Sequence, residues 1–318
     1  MQTEKGTVSV KLKDDRSKTS FINHVKNNKS LYLILLPGIL YYITFLYLPM
    51  YGITIAFKDF DMFGGIFNSE WVGLKHFKIL FASDTFFQVF RNSIVISVYK
   101  IVFNFPIPII LAILLNEVRS LVFKKTIQTV VYLPYFLSWV VIAGLVINFL
   151  SPSTGVINLL IKSFGGEPIN FLANKAYFRT IIVISDLWHS VGWNTIIYLA
   201  ALTSIDVSLY EAAKIDGAGR LKQIIHITLP GIKSTIVVLL LLKIGNIMNN
   251  GFEQMFLLYN PMVYDVADVF ETYVYRIGLV ESRYDYSTAV GLFKSLVGLV
   301  MLVSANGFAR KMGEKGIF

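Results

Sequence analysis

An all-α protein embedded in a membrane and crossing it six times is the fold class that the sequence predicts, and three observations predict it. Only 15% of the 318 residues are charged and 55% are hydrophobic, where a soluble domain has about 25% and about 45–50%. The apolar residues gather into runs near or above the ~20 needed to span a bilayer as a helix. Lys and Arg fall unevenly between alternate connecting segments, as the positive-inside rule requires. Cysteine is absent, which excludes a disulfide framework and a cysteine metal site. The net charge of +9 reads as a topology signal. No basic cluster interleaved with aromatics marks a nucleic-acid surface, so no nucleic-acid partner is expected.

Taken in order, residues 1–30 form a basic tail with seven Lys/Arg against three acids. The apolar run 31–57 exceeds the ~7–15 residues of a signal-peptide core and lacks a small-residue cleavage site, so it reads as a retained first span. Further spans are expected at 92–115, 127–150, 180–203, 232–248 and 288–308. The fifth is the weakest, because Lys243 and Asn246 lie inside it. Pro37 and Pro49 in span one, and Pro106 and Pro108 in span two, predict kinks that neighbouring groups must satisfy. The domain reading is a tail at 1–30, a six-helix transmembrane domain at 31–310 and a second tail at 311–318.

With the N-terminus cytoplasmic, the inner segments hold the seven basic residues of the tail. They also hold Arg119, Lys124 and Lys125, then Lys214, Arg220, Lys222 and Lys233, then Arg310, Lys311 and Lys315. The outer segments hold nine. A multi-pass protein of the cell membrane with both termini cytoplasmic is therefore expected. The outer segments 58–91 and 249–287 are longer than a bundle's connections need to be. They are expected to pack over the outer mouth or to meet a partner.

The loop between spans four and five, 204–231, carries the most information. Asp206 and Ser208 can cap a helix start. A short helix through 210–215 should break near Gly217 and Gly219, and a second should run to Pro230. Small Ala212 and Ala213 suit a helix lying in another protein's groove, and Glu211 offers that partner a charge. The stretch reads Glu211-Ala212-Ala213, three residues, Gly217, nine residues, Ile227, one residue, Leu229-Pro230.

That spacing resembles the signature of permease subunits of binding-protein-dependent ABC importers. The resemblance runs from about residue 31 to 310. Trp71-Val-Gly-Leu-Lys-His-Phe77 with Asn92, Gly155-Val-Ile-Asn158 and Tyr198-Leu-Ala-Ala-Leu-Thr-Ser-Ile205 resemble the carbohydrate branch. Phe252-Glu-Gln-Met-Phe-Leu-Leu-Tyr-Asn-Pro261 and Glu271-Thr-Tyr-Val-Tyr-Arg276 resemble the subgroup that handles complex or acidic polysaccharide fragments. Asn260-Pro261 stands where maltose permeases have a glycine-rich segment. The resemblance implies a type I ABC importer permease fold with a cytoplasmic coupling helix over 211–217. It also implies a second homologous permease subunit, two cytoplasmic ATP-binding subunits and an extracytoplasmic solute-binding protein.

No Gly-x-x-x-x-Gly-Lys-Ser/Thr occurs, so the phosphate-cradling loop is missing and ATP with Mg²⁺ belongs on a partner chain. The four histidines are scattered, without metal-ligand spacing, and no Gly-x-Ser-x-Gly elbow is present. No catalytic residue is expected. A permease for a non-sugar solute and an ion-coupled secondary transporter share this composition. The sugar-type stretches weigh against the first, and the absence of an internal repeat weighs against the second.

Ionisable residues within spans are costly and mark aqueous paths or pairs. Lys243, Asn246, Asn250 and Glu253 recur at helical spacing and predict one polar face of the fifth helix. At about 1.5 Å per residue from Ile232, Lys243 lies roughly 16 Å in, near the midplane. Lys100 and Lys294 lie in the outer half, and Asp186 is comparably deep beside Trp188 and Trp193. One reading pairs these groups, for example Lys243 with Asp186, to hold helices together. The other makes them a passage, with lysines for anionic groups, Trp188 and Trp193 for sugar faces, and Asn250, Glu253 and Gln254 for hydroxyls.

Overall fold

In lipid every backbone N–H and C=O must be satisfied within the segment, so the apolar runs become helices. A computed structural model of the chain describes Lys26, residues 28–311, Gly313 and Gly316. Most of the expected tails at 1–30 and 311–318 lies outside the described residues. The chain divides by packing into residues 1–53 and 54–318.

Helix α1, Lys29–Phe57, occupies nearly all of the described first unit. No residue of its first fourteen is buried, and a helix apolar on all sides suits a lipid environment. Beyond Pro37 its ladder loosens into a π turn at Ile43–Tyr47 and a 3₁₀ stretch at Leu48–Phe57 that takes in Pro49.

After the end of α1, two two-residue strands pair, β1 Lys58–Asp59 against β2 Glu70–Trp71, antiparallel. Short α2, Lys75–Phe81, follows. Helix α3 runs Asp84–Glu117 and starts where Ser83 Oγ accepts the Phe86 N–H at 3.3 Å. Pro106 offers no N–H to the preceding turn, and the helix responds with a π turn at Lys100–Asn104. The prolines of span two thus produce a widened turn without a break.

The third expected span, 127–150, is not one helix. Helix α4, Leu121–Phe136, and α5, Trp139–Leu150, meet at 103°. Pro134 tightens the end of α4 into a 3₁₀ turn. Ser138 opens α5 as its N-cap, accepting the Val141 N–H at 3.5 Å. Helix α6, Val156–Ser163, follows a turn where Asn158 Nδ2 donates to the Leu150, Ser151 and Ile169 carbonyls at 3.0–3.2 Å.

Helix α7, Lys175–Leu202, is bent by 72° from α8, Val207–Ile215. Phe178, Ile182, Ser185, Gly192, Thr195, Tyr198 and Leu202 form its buried stripe. At Gly192 a Cβ would stand 2.3 Å from the Val131 carbonyl, so only glycine admits this approach of α4. Helix α9, Arg220–Gly231, meets α10, Lys233–Gly245, at 59°. The fifth expected span therefore ends three residues early. Helices α11, Phe252–Leu258, and α12, Phe270–Tyr275, lead to α13, Tyr284–Lys311.

The segment 249–287 is not an inserted loop. It supplies Met255, Leu258, Val263, Ala267, Val269 and Phe270, all buried, to two clusters with Phe86, Val89, Ile96, Phe178 and Ile182. Asn92 fastens it, donating to the Asp265 and Asp268 carbonyls at 3.1 and 3.2 Å and accepting from Arg179 at 2.8 Å.

Candidate functional site: a polar cleft and a coupling loop

One stripe of α3 carries Ser93, Ser97, Lys100 and Asn104, all buried, at spacings of four, three and four. The π turn lies under the last two, as such bulges often do at functional positions. The Lys100 Nζ donates to Asp186 Oδ1 at 3.0 Å, to the Asn250 carbonyl at 2.9 Å and to Gln254 Oε1 at 2.8 Å. These three acceptors saturate the ammonium. Asn104 Nδ2 takes the other Asp186 oxygen at 2.7 Å. Gln254 Nε2 donates to the Ile182 carbonyl at 2.8 Å and to Ser185 at 2.9 Å.

Asn250 lies in the joint between α10 and α11, where Gly251 has φ +86°. All four of its polar groups are engaged. Its N–H donates to Glu271 Oε1 at 3.3 Å, its Nδ2 to the Ser93 carbonyl at 3.2 Å, its Oδ1 accepts from Ser97 at 3.0 Å, and its carbonyl accepts from Lys100. Lys294 of α13 joins the same node by donating to Glu271 Oε1 at 2.5 Å.

Beside this network runs an open cleft. One compartment, about 300 Å³, is lined by Asn104, Phe105, Asn194, Leu239, Lys243 and Asn246 among others. The next, about 250 Å³, is lined by Ser97, Lys100, Asp186, Asn249 and Asn250, and again by Lys243 and Asn246. Lys243 is exposed and makes no hydrogen bond or ion pair with the described residues. The expected pairing of Lys243 with Asp186 does not form: Lys100 takes that carboxylate, because the π turn aims it there.

The single polar face expected of span five is also corrected. Because α10 stops at Gly245, Asn250 turns inward against α3 while Glu253 is exposed on α11. Trp188 and Trp193 are exposed and line neither compartment. Trp193 instead stacks on Tyr135 at 4.6 Å and 5°, with His189 between Tyr135 and Trp139. Ser97, Asn104 and Asn194 were not singled out in the sequence, although the four-three-four spacing on α3 could have flagged the first two. Glu271 carried no such signal, since its partners lie 21 and 23 positions away.

The loop 204–231 follows its expected pattern, with α8 beginning three residues earlier. Asp206 Oδ1 accepts the Ser208 N–H at 2.9 Å, and that bond holds the Asp206 carboxyl below its ordinary range. Gly217, φ +74°, ends α8 in a Schellman motif: the Ala218 N–H reaches the Ala213 carbonyl at 2.8 Å and the Gly217 N–H reaches Lys214 at 3.1 Å. Glu211 and Ala212 are exposed, and Ala213 half-buried. Ile227 lies within the π turn Ile224–Thr228, with Leu229 and Pro230 in the last turn of α9.

Residues 104–314 match the family described as binding-protein-dependent transport system inner membrane component. The chain belongs to this family. As a permease of that family it is 51% identical over 310 residues to the polygalacturonan/rhamnogalacturonan transport system permease protein YteP of Bacillus subtilis, covering 98% of this chain and 96% of the relative. It is 48% identical to Protein LplB of the same organism, covering 94% of each chain. Among solved structures, a chain of the bacterial alginate ABC transporter in complex with alginate pentasaccharide-bound periplasmic protein superposes with a TM-score of 0.87. That match is 43% identical and covers 93% of this permease and 99% of the other chain. Both the family and the fold are those of a membrane-spanning permease subunit of an ABC importer.

Proposed function

We propose that this permease passes a uronate-containing oligosaccharide along the cleft between α3, α7 and α10. An exposed lysine among amides, facing two compartments and holding no carboxylate of its own, carries the reading. An exposed ammonium without a carboxylate partner is available to an anion, and an anionic substrate would supply its counter-charge in transit. Asn104, Asn194, Asn246 and Asn249 offer donors and acceptors for hydroxyls. The relatives are named for polygalacturonan and rhamnogalacturonan and for the acidic polysaccharide alginate, which supports an acidic sugar. Residues 211–217 act as the coupling helix on one of two ATP-binding subunits, which hold ATP and Mg²⁺. A second homologous permease completes the passage and an extracytoplasmic binding protein delivers the sugar. Both termini are cytoplasmic, with the permeation domain spanning 31–310.

The test is uptake into proteoliposomes holding the whole complex. Trigalacturonate is compared with its methyl ester, which is neutral and equal in length and linkage. Lys243→Met should raise KM for the acid about fivefold, the worth of about 1 kcal/mol for a partly exposed ion pair. It should leave the ester unchanged. Equal change in both substrates would refute the anionic reading.

A further inference from the structure

Three lysines approach the cleft, and the structure leaves them in three different states. Lys100 is saturated by three acceptors. Lys243 has none among the described residues. Lys294 has one, Glu271 Oε1, which leaves two of its N–H groups uncommitted. We propose that Lys294 is a second anion subsite, and that Glu271 is the specificity-determining residue that keeps its grip weak. The proposal rests on the uronate reading above.

Lys294 lines a compartment of about 220 Å³. Asn246 and Asn249 line both the Lys243 and the Lys294 compartments. The Lys294 side chain is 25% exposed while Glu271 is 9% exposed, so the cation reaches the cleft and its carboxylate stands behind it. Glu271 engages through one oxygen only; Oε2 is buried without a hydrogen-bond partner. The Asn250 N–H holds Glu271 in place, so Lys294 can bridge it to a substrate carboxylate. A passage must bind strongly enough to admit its cargo and weakly enough to release it. A carboxylate fixed behind the second cation meets that need by opposing the anion that Lys294 attracts.

Glu271→Gln tests this, because the amide oxygen still accepts from Asn250 and Lys294 while the negative charge is gone. With the same complex and sugar pair, the variant should lower both KM and kcat for trigalacturonate about fivefold, the scale of one partly exposed ion pair. The methyl ester should be unaffected. Lys294→Met should raise KM for the acid and leave the ester unchanged. If Glu271→Gln alters acid and ester alike, or neither, while Lys243→Met still separates them, the second subsite is wrong and the uronate reading stands. If Lys243→Met separates them no better, the uronate reading itself falls.

Discussion

The Nζ of Lys100 lies 3.0 Å from Asp186 Oδ1 and gives its other two protons to the Asn250 carbonyl and to Gln254. One ammonium thereby ties α3 to α7, to the joint between α10 and α11, and to α11 itself. The Lys100 side chain is 9% exposed and that of Asp186 18%, so the pair is largely buried in the wall of the cleft.

Asp186→Asn should therefore cost about 3–5 kcal/mol of stability, since it strands a buried charge. The yield of folded complex in detergent measures this. Lys100→Met combined with Asp186→Leu should recover most of the yield, because an apolar pair leaves no charge behind. Failure of the double variant to recover would mean that the hydrogen bonds to Asn250 and Gln254 matter more than the charge.

Gly217 holds a left-handed conformation at the end of α8, which costs a residue with a Cβ roughly 1–2 kcal/mol. Gly217→Val should weaken α8 and reduce ATP-driven uptake. Gly217→Pro, which removes the N–H that reaches Lys214, should abolish uptake. Sugar binding by the separate binding protein should persist in both. Full uptake by the proline variant would remove the coupling role from this turn.

The chain has no cysteine, so single cysteines report on orientation. Met262 is 65% exposed, and Met262→Cys should react with an impermeant thiol reagent in intact cells. A cysteine replacing Val8 in the basic tail should react only after the cells are opened. The opposite pattern would invert the topology.

Lys175 donates to Asp265 at 2.5 Å and thereby holds its carboxyl below the ordinary range. A lowered carboxyl contributes stability that is present above the unfolded value, near pH 4, and lost as pH falls through the lowered one. Asp265→Asn should lower thermal stability slightly at pH 7, flatten the acid limb of the profile below about pH 4, and change little at its acid end. An unchanged acid limb would assign that loss of stability to other carboxylates.

Much of this was legible in the sequence for physical reasons. Lipid forces helices onto long apolar runs, and Asp206, Gly217 and Pro230 punctuate the coupling loop by their own backbone chemistry. The break at Leu137–Ser138 was not legible, because its flanks are as apolar as a single span and only Pro134 and Ser138 hint at it. The choice between pairing Lys243 with Asp186 and leaving it to the passage stayed open in the sequence, because depth along a helix gives no azimuth. The π turn before Pro106 rotated Lys100 onto Asp186, and the early stop at Gly245 split a face that periodicity had made continuous. The Glu271–Lys294 pair joins α12 to α13, a relation that only the fold creates.

The same early stop bears on how a cation without a carboxylate persists at this depth. Lys243 stands in the last turn of α10, where the aligned peptide dipoles present about half a negative charge. That field favours the ammonium without occupying its protons, as a carboxylate would. A continuous fifth helix would carry its negative end several residues further on and leave Lys243 in mid-ladder. Breaking the helix thus provides a diffuse counter-charge made of backbone alone, one that no passing substrate can carry away.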